Sequence, residues 1–367
     1  MTKTFCISIF TIIVLLYGGV SETFAKNSEE EVITFLNDLF VARSNFLVNK
    51  PSNVAKYYDQ TSKTSRNAYR VEQKRMTYLN TWGNHRGIHF TDSQSGIRIT
   101  RIQIEGDTAK VSLAHSQKLS YMYVDKILHP QSFGIGTWHA ITLKKKDGAW
   151  IVFKEWYLDP LEENPKLIAG KLGGAVHFPP HKKEVKDGEK YKRQKAVAYA
   201  NKYAGTAWGA GNKGRYNSKY VNYNVKGGDC TNFASQVIGD QEEGGGLKMM
   251  GPWRYHYSAG GNRTWVQTDA FKNFIVRSGY GKVIASGSFS DLIKPTRKHP
   301  HSAFAKLLPG DLIAHVLDND VDHFSVVTGF DDKGYPLVNS HSADRFRAPF
   351  DLGWDKHTKY ILIHIND

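Results

Sequence analysis

A single thiol limits how this chain can hold itself together. Its two cysteines are Cys6 and Cys230. Cys6 falls in an N-terminal stretch that reads as a secretory leader, so Cys230 stands alone in the mature chain. An exported chain with one cysteine closes no internal disulfide. Its stability must come from packing, and the thiol is either a small buried hydrophobe or a reagent. The segment GGDCTNFASQVI sets Cys230 where a glycine turn meets the start of a helix, and that placement argues for a reagent.

Residues 1–25 carry the leader pattern. Lys3 gives the positive start, Ile7 to Val20 is an apolar run, and Thr23 and Ala25 form a small-residue cleavage site before Lys26. The run falls short of the ~20 apolar residues a spanning helix needs, so the expectation is a secreted, extracellular or wall-associated protein with no transmembrane segment after cleavage. The chain carries 49 Lys and Arg against 35 Asp and Glu, a net charge of +14. Losing the leader removes Lys3 and Glu22 and leaves that balance unchanged. A charge of this sign favours anionic partners outside the cell, such as wall polymers, over nucleic acid.

The pattern divides the rest into residues 26–162, a linker over 163–190 and a second domain over 191–367. Ser28 and Glu31 make a capping box before Val32, Phe35, Leu36 and Leu39, and a second helix is expected over Ser65 to Trp82. Strand-like runs follow at Ile97–Glu105, Ala109–His115, Tyr121–Lys126, Trp138–Lys146 and Trp150–Tyr157. This order predicts a smaller α+β domain with a curved antiparallel sheet, analogous to the nuclear-transport-factor-like (NTF2-like) folds. Trp138, Trp150 and Trp156 read as core. The linker is rich in proline, glycine and charge. Beyond it, Ala196, Tyr199, Ala200 and Tyr203 form one helical stripe, and Phe233, Ala234, Val237 and Ile238 another. Strands are expected at Leu312–Val316, His323–Phe330, Tyr335–Asn339 and Lys359–Ile365, again an α+β arrangement.

Attack on a carbonyl needs thiolate, and a helix N-terminus lowers a thiol's pKa. Gly227 and Gly228 permit a tight turn, and Asp229 stands at the cap position. His323 opens the strand HFSVVTGF after the polar turn Asp318–Asp322 and is the candidate base. Asn339 and His341, two residues apart on the next strand, are alternative third members that would orient the imidazole. Asn224 and the backbone N–H of Cys230 are candidate oxyanion donors. No H-E-x-x-H or C-x-x-C occurs, so no metal is called for. The alternation of Asp318, Asp320 and Asp322 lacks the glycine and glutamate of a calcium loop. GAGNKG at Gly209–Gly214 lacks the context of a phosphate loop, and no cofactor is expected.

These pieces, with AVAYANKYA, PWRYHYS, TWVQTDAFKNFI, LLPGDLIA, PLVNSHSADRFRAPF and YILIHI, make the C-terminal half resemble the bacterial "putative amidase domain" family. More distantly it is similar to NlpC-type and CHAP-type wall hydrolases and to papain-like cysteine peptidases. The resemblance implies a cysteine at a helix N-terminus facing a histidine on a sheet, here Cys230 and His323. It sets Asn339 where papain-like peptidases keep their asparagine, with His341 as the alternative within the amidase family. It implies hydrolysis of amide bonds through a thioester, with peptidoglycan as the target. A non-catalytic wall- or glycan-binding protein on the same scaffold is the competing reading, and acyl transfer to an amine would use the same residues.

Overall fold

The computed structural model describes residues 10–125, 128–161, 164–172, 185–211 and 215–367, with backbone alone for 10–26. Residues 1–9 of the expected leader and part of the expected linker, 163 and 173–184, lie outside the described residues. The first half contains helices α1 (Phe10–Leu47) and α2 (Lys63–Arg86) and strands β1 (Ile88–Glu105), β2 (Thr108–Tyr123), β3 (Gln131–Lys146) and β4 (Ala149–Tyr157). The second half contains α3 (Arg193–Lys202), α4 (Cys230–Gly239), β5 (Tyr255–His256), β6 (Gly260–Gly261), α5 (Arg263–Val266), α6 (Thr268–Arg277), β7 (Gly281–Ser288) and α7 (Phe289–Ile293). It ends with β8 (Leu312–Leu317), β9 (Asp320–Phe330), β10 (Pro336–Ser340), β11 (Asp344–Pro349) and β12 (Lys359–Ile365).

The chain is a mixed α/β protein built on a large antiparallel sheet. That sheet runs through both halves in the order β1-β2-β3-β11-β10-β9-β8-β12-β7, with β4 on β3. The junction is the pairing of Asp344, Arg345 and Phe346 on β11 with Gly136, Ile135 and Gly134 on β3. Glycine is required there. A Cβ on Gly134 would stand 2.0 Å from the Trp208 carbonyl oxygen, and one on Gly136 would stand 2.2 Å from Thr206 Oγ1. The two bare positions let the loop after α3 lie flat on β3.

Alternation along the strands divides the core. Val111, Leu113, Ile141 and Leu143 bury one face of the meander under α1, with Leu36, Leu39 and Phe40. In the second half, Leu312, Ala314, Phe324 and Val326 pack on Phe233, Ala234 and Val237 of α4. Ile313, Val327, Val338 and Leu362 face the other way, toward Phe289 and Phe304.

Three local expectations need correction. Ser28 lies inside α1 and caps nothing. Ala109–His115 and Tyr121–Lys126 are not two strands: β2 runs unbroken to Tyr123, because the ladder is made by backbone groups and needs no apolar side chain at Ser116–Ser120. Of the three tryptophans read as core only Trp150 is buried, while Trp138 is 40% and Trp156 68% exposed.

Candidate functional site

Gly227 and Gly228 adopt φ of +103° and +123°, a region closed to most side chains, and the chain turns there into α4 at Cys230. The cysteine is 8% exposed. Its sulfur lies 3.7 Å from Thr231 Oγ1 and receives the Phe324 backbone N–H of β9. Sequence reasoning expects an ionised thiol. Burial instead pushes the thiol above its ordinary value of 9.0, against the lowering by the Phe324 N–H. Desolvation disfavours the anion more than the Phe324 and Thr231 donors stabilise it. Iodoacetamide is therefore expected to label Cys230 at pH 6 no faster than free cysteine, with the rate climbing as pH passes 9. A rate at pH 6 well above that of free cysteine would reveal a preformed thiolate.

His323 stands on the same strand one residue away but faces the other side of the sheet. Its ring packs 5.4 Å from the His315 ring and 5.4 Å from Trp354, among the side chains opposite α4. Alternation sets this face: His323 shares it with Ser325, which bonds to His315, and with Val327. His323 Nε2 is buried without a hydrogen-bond partner. Among the described residues no hydrogen bond joins this imidazole to the thiol. Burial holds it well below its ordinary value, and the Arg345 guanidinium adds to the depression, so the resting pair is neutral thiol and neutral imidazole.

Neither expected orienter touches His323. Asn339 donates to the Ala200 carbonyl (2.9 Å) and to Asn201 Oδ1, and accepts from Thr328 Oγ1 and the Arg347 N–H. His341 bonds through Nδ1 to Asp229 Oδ2 and through Nε2 to the Tyr203 carbonyl, both at 2.6 Å. Strand alternation explains both findings: Asn339 and His341 project toward α3 and α4, away from the His323 ring. His341 also stacks on Phe233 of α4 at 4.0 Å, and the Asp229 carboxylate holds it above its ordinary value despite burial.

Asp229 makes no side-chain cap for α4. Its carboxylate accepts from the Tyr223 N–H, Asn232 Nδ2 and His341, which ties the glycine turn to the sheet. Asn224 Oδ1 accepts from Ser342 Oγ at 2.6 Å, leaving its –NH2 end as the donor.

The buried histidines make stability pH-dependent. His115, His139, His299, His315 and His323 are all lowered, chiefly by burial. Each contributes stability that is present above the unfolded value of about 6.5 and is lost as pH falls toward its lower folded value. His341 is raised and acts in reverse, its contribution present below about 6.5 and lost as pH rises through its folded value. Five groups oppose one, so the melting temperature is expected to drop between pH 7 and pH 5. His315→Phe should flatten that slope; an unchanged slope would mean that this ring titrates normally.

Cys230, His323, Asn224, Gly227 and Gly228 line one cavity of about 750 Å³. Ser342 and Ala343, between the end of β10 and the start of β11, also line it, so it reaches both the thiol and His323. Its other wall comes from the first half of the chain: Thr137, Trp138, Trp156 and Leu158. Reading the tryptophans as core missed these. The signal was available, since Trp138 alternates with His139 and Ile141, and Trp156 with Tyr157, in strands whose other face is apolar. Among the described residues no cluster of three or more His, Cys, Asp or Glu could hold a metal ion. No described helix is long and apolar enough to cross a membrane.

Residues 190–364 match the family of the putative amidase domain. The match supports amide hydrolysis for the half that contains Cys230, His323, Asn339 and His341. No curated protein matches the chain. Among solved structures, the Kfla4162 protein from Kribbella flavida aligns at 9% identity and a TM-score of 0.23, covering 39% of this chain and 97% of its own.

Proposed function

We propose that the amidase half is a cysteine hydrolase of papain-like type that acts outside the cell on amide bonds of bacterial peptidoglycan. The observation that carries this reading is the shared cavity of Cys230 and His323 inside the region matched to the amidase family. As substrate fills the cavity, the His323 ring swings toward the thiol; hydrogen bonds of this kind are often open in the free enzyme. The imidazole takes the thiol proton while sulfur forms a bond to the carbonyl carbon. The carbonyl electrons move to oxygen, where the Cys230 N–H and the Asn224 –NH2 donate. Collapse breaks the C–N bond, and the imidazolium passes its proton to the departing amine. Water, deprotonated by the same imidazole, then splits the thioester into carboxylate and free thiol.

Because both partners rest neutral, the proton moves during attack. Since His323 must be neutral, the acid limb of kcat/KM belongs below pH 6.5. The Asp229–His341 pair positions the start of α4 and takes no proton. The test is mass spectrometry of peptidoglycan fragments after incubation with wild type and with Cys230→Ala. Release of matched amine and carboxylate products by wild type alone supports the reading, and equal release by both ends it. A second reading, a non-catalytic glycan binder, is favoured by the raised thiol and its missing imidazole bond. It predicts release by neither protein.

A further inference from the structure

We propose that the open face of the β1–β4 meander is a binding track for an anionic glycan chain, leading into the Cys230 cavity. Its destination rests on the hydrolase reading; its existence does not. With α1 covering one face of the meander, the other carries three cross-strand rows fixed by register. Arg98, Ala114 and Trp138 form the first. Arg101, Ser112, Ala140 and Trp156 form the second, and Gln103, Lys110, Thr142 and Lys154 the third. The register change between Ile99 and Arg101 keeps Arg98 and Arg101 on the same side.

Small residues pave the middle of this face, so it is a trough rather than a dome. Four cations flank it, and the carboxylate of Glu105, at its far end, accepts from Gln103. Arg98 lies over the Trp138 ring at 5.6 Å. A depression of about 560 Å³ lies between Arg101, Lys110, Lys154 and Trp156, and Trp156 also belongs to the wall of the Cys230 cavity. One indole is thus the step from trough to thiol. Exposed indoles offer flat apolar faces that fit the C–H faces of sugar rings, while Arg and Lys pair with carboxylates or phosphates along the same chain. The positive balance of the whole protein points to the same polymer.

Sedimentation with insoluble peptidoglycan bearing its anionic wall polymer tests the track, using full-length Cys230→Ala so that no bond is cut. Trp138→Ala with Trp156→Ala is expected to weaken binding tenfold or more. Arg101→Ser with Lys154→Ser should do the same at 50 mM NaCl and less at 300 mM. All four side chains are solvent-facing, and circular dichroism confirms that each variant is folded. Binding by the double tryptophan variant equal to that of the parent overturns the proposal. So does unchanged binding after the anionic polymer is stripped. Equal affinity for oligo(dT), lost in the same variants, would make the face a nucleic-acid surface instead. None of these readouts depends on hydrolysis, so failure of the track and failure of the amidase reading are separable.

Discussion

Alanine at Cys230 or at His323 is expected to cut amide release by about 10³-fold or more, because on the proposed mechanism each removes a member of one nucleophile–base unit. The two losses should not multiply in the double variant. His323→Ala should also leave the fold intact. It deletes a buried imidazole whose Nε2 bonds to nothing, and stability at pH 5 should rise relative to wild type. His341→Ala should behave differently. It strips the buried Asp229 of one of its partners and opens a gap against Phe233, so the cost falls first on folding and then on activity through the position of α4. Its pH–rate profile should keep the wild-type shape. Loss of activity with His341→Ala in a fully stable protein, and none with His323→Ala, would reassign the base. Rates with peptidoglycan fragments between pH 5 and pH 8, alongside thermal melts of the same samples, decide it.

Asp351→Ala is expected to destabilise the protein by about 3–5 kcal/mol, a large part of the 5–15 kcal/mol that holds a typical domain together. Asp351 is a buried acceptor that joins the halves. Arg86 Nε donates to it at 2.8 Å and Trp82 Nε1 at 3.1 Å, both from α2, while the Tyr335 hydroxyl donates to its other oxygen at 2.6 Å. Without the carboxylate, the buried Arg86 guanidinium keeps the carbonyls of Ala169 and Gly170 and the faces of Phe289 and Trp82, but no anion. An uncompensated buried cation is far worse than no ion pair at all. Arg86→Met combined with Asp351→Leu should accordingly lose less than Asp351→Ala alone. Urea unfolding followed by tryptophan fluorescence measures both, and a loss below about 1 kcal/mol for Asp351→Ala would show that the bridge is not what couples the halves.

Much of this could be read along the chain. The glycine turn, the helix that starts at Cys230, the buried stripes of α3 and α4 and the late strands all follow local rules of turn chemistry and periodicity. β7 and β11 escaped because their strands are held by pairing with distant partners rather than by an apolar pattern of their own. The course of β11 from Asp344 to Pro349 carries two arginines and a proline, and nothing local marks it as the strand that stitches two halves into one sheet.

The site divides in the same way. Residue types and spacing nominated Cys230, His323, Asn339, His341, Asn224 and Asp229. They could not say what covers each face of the sheet: alternation sets His323 with Ser325 and Val327 on one face, and only packing brings α4 and Cys230 against the other. They also could not weigh desolvation against a helix N-terminus at the thiol, since burial depends on what packs around the sulfur. By itself the sequence determined where the chain turns, which segments form helices and strands, and which side chains can do chemistry, because those depend on neighbours a few residues away. Only the tertiary structure decided that two halves share a sheet, that Trp138 and Trp156 wall the thiol's cavity, and that Asn339 and His341 bond to α3 and to the turns beside it and before α4 rather than to His323. Those outcomes depend on contacts between residues far apart along the chain.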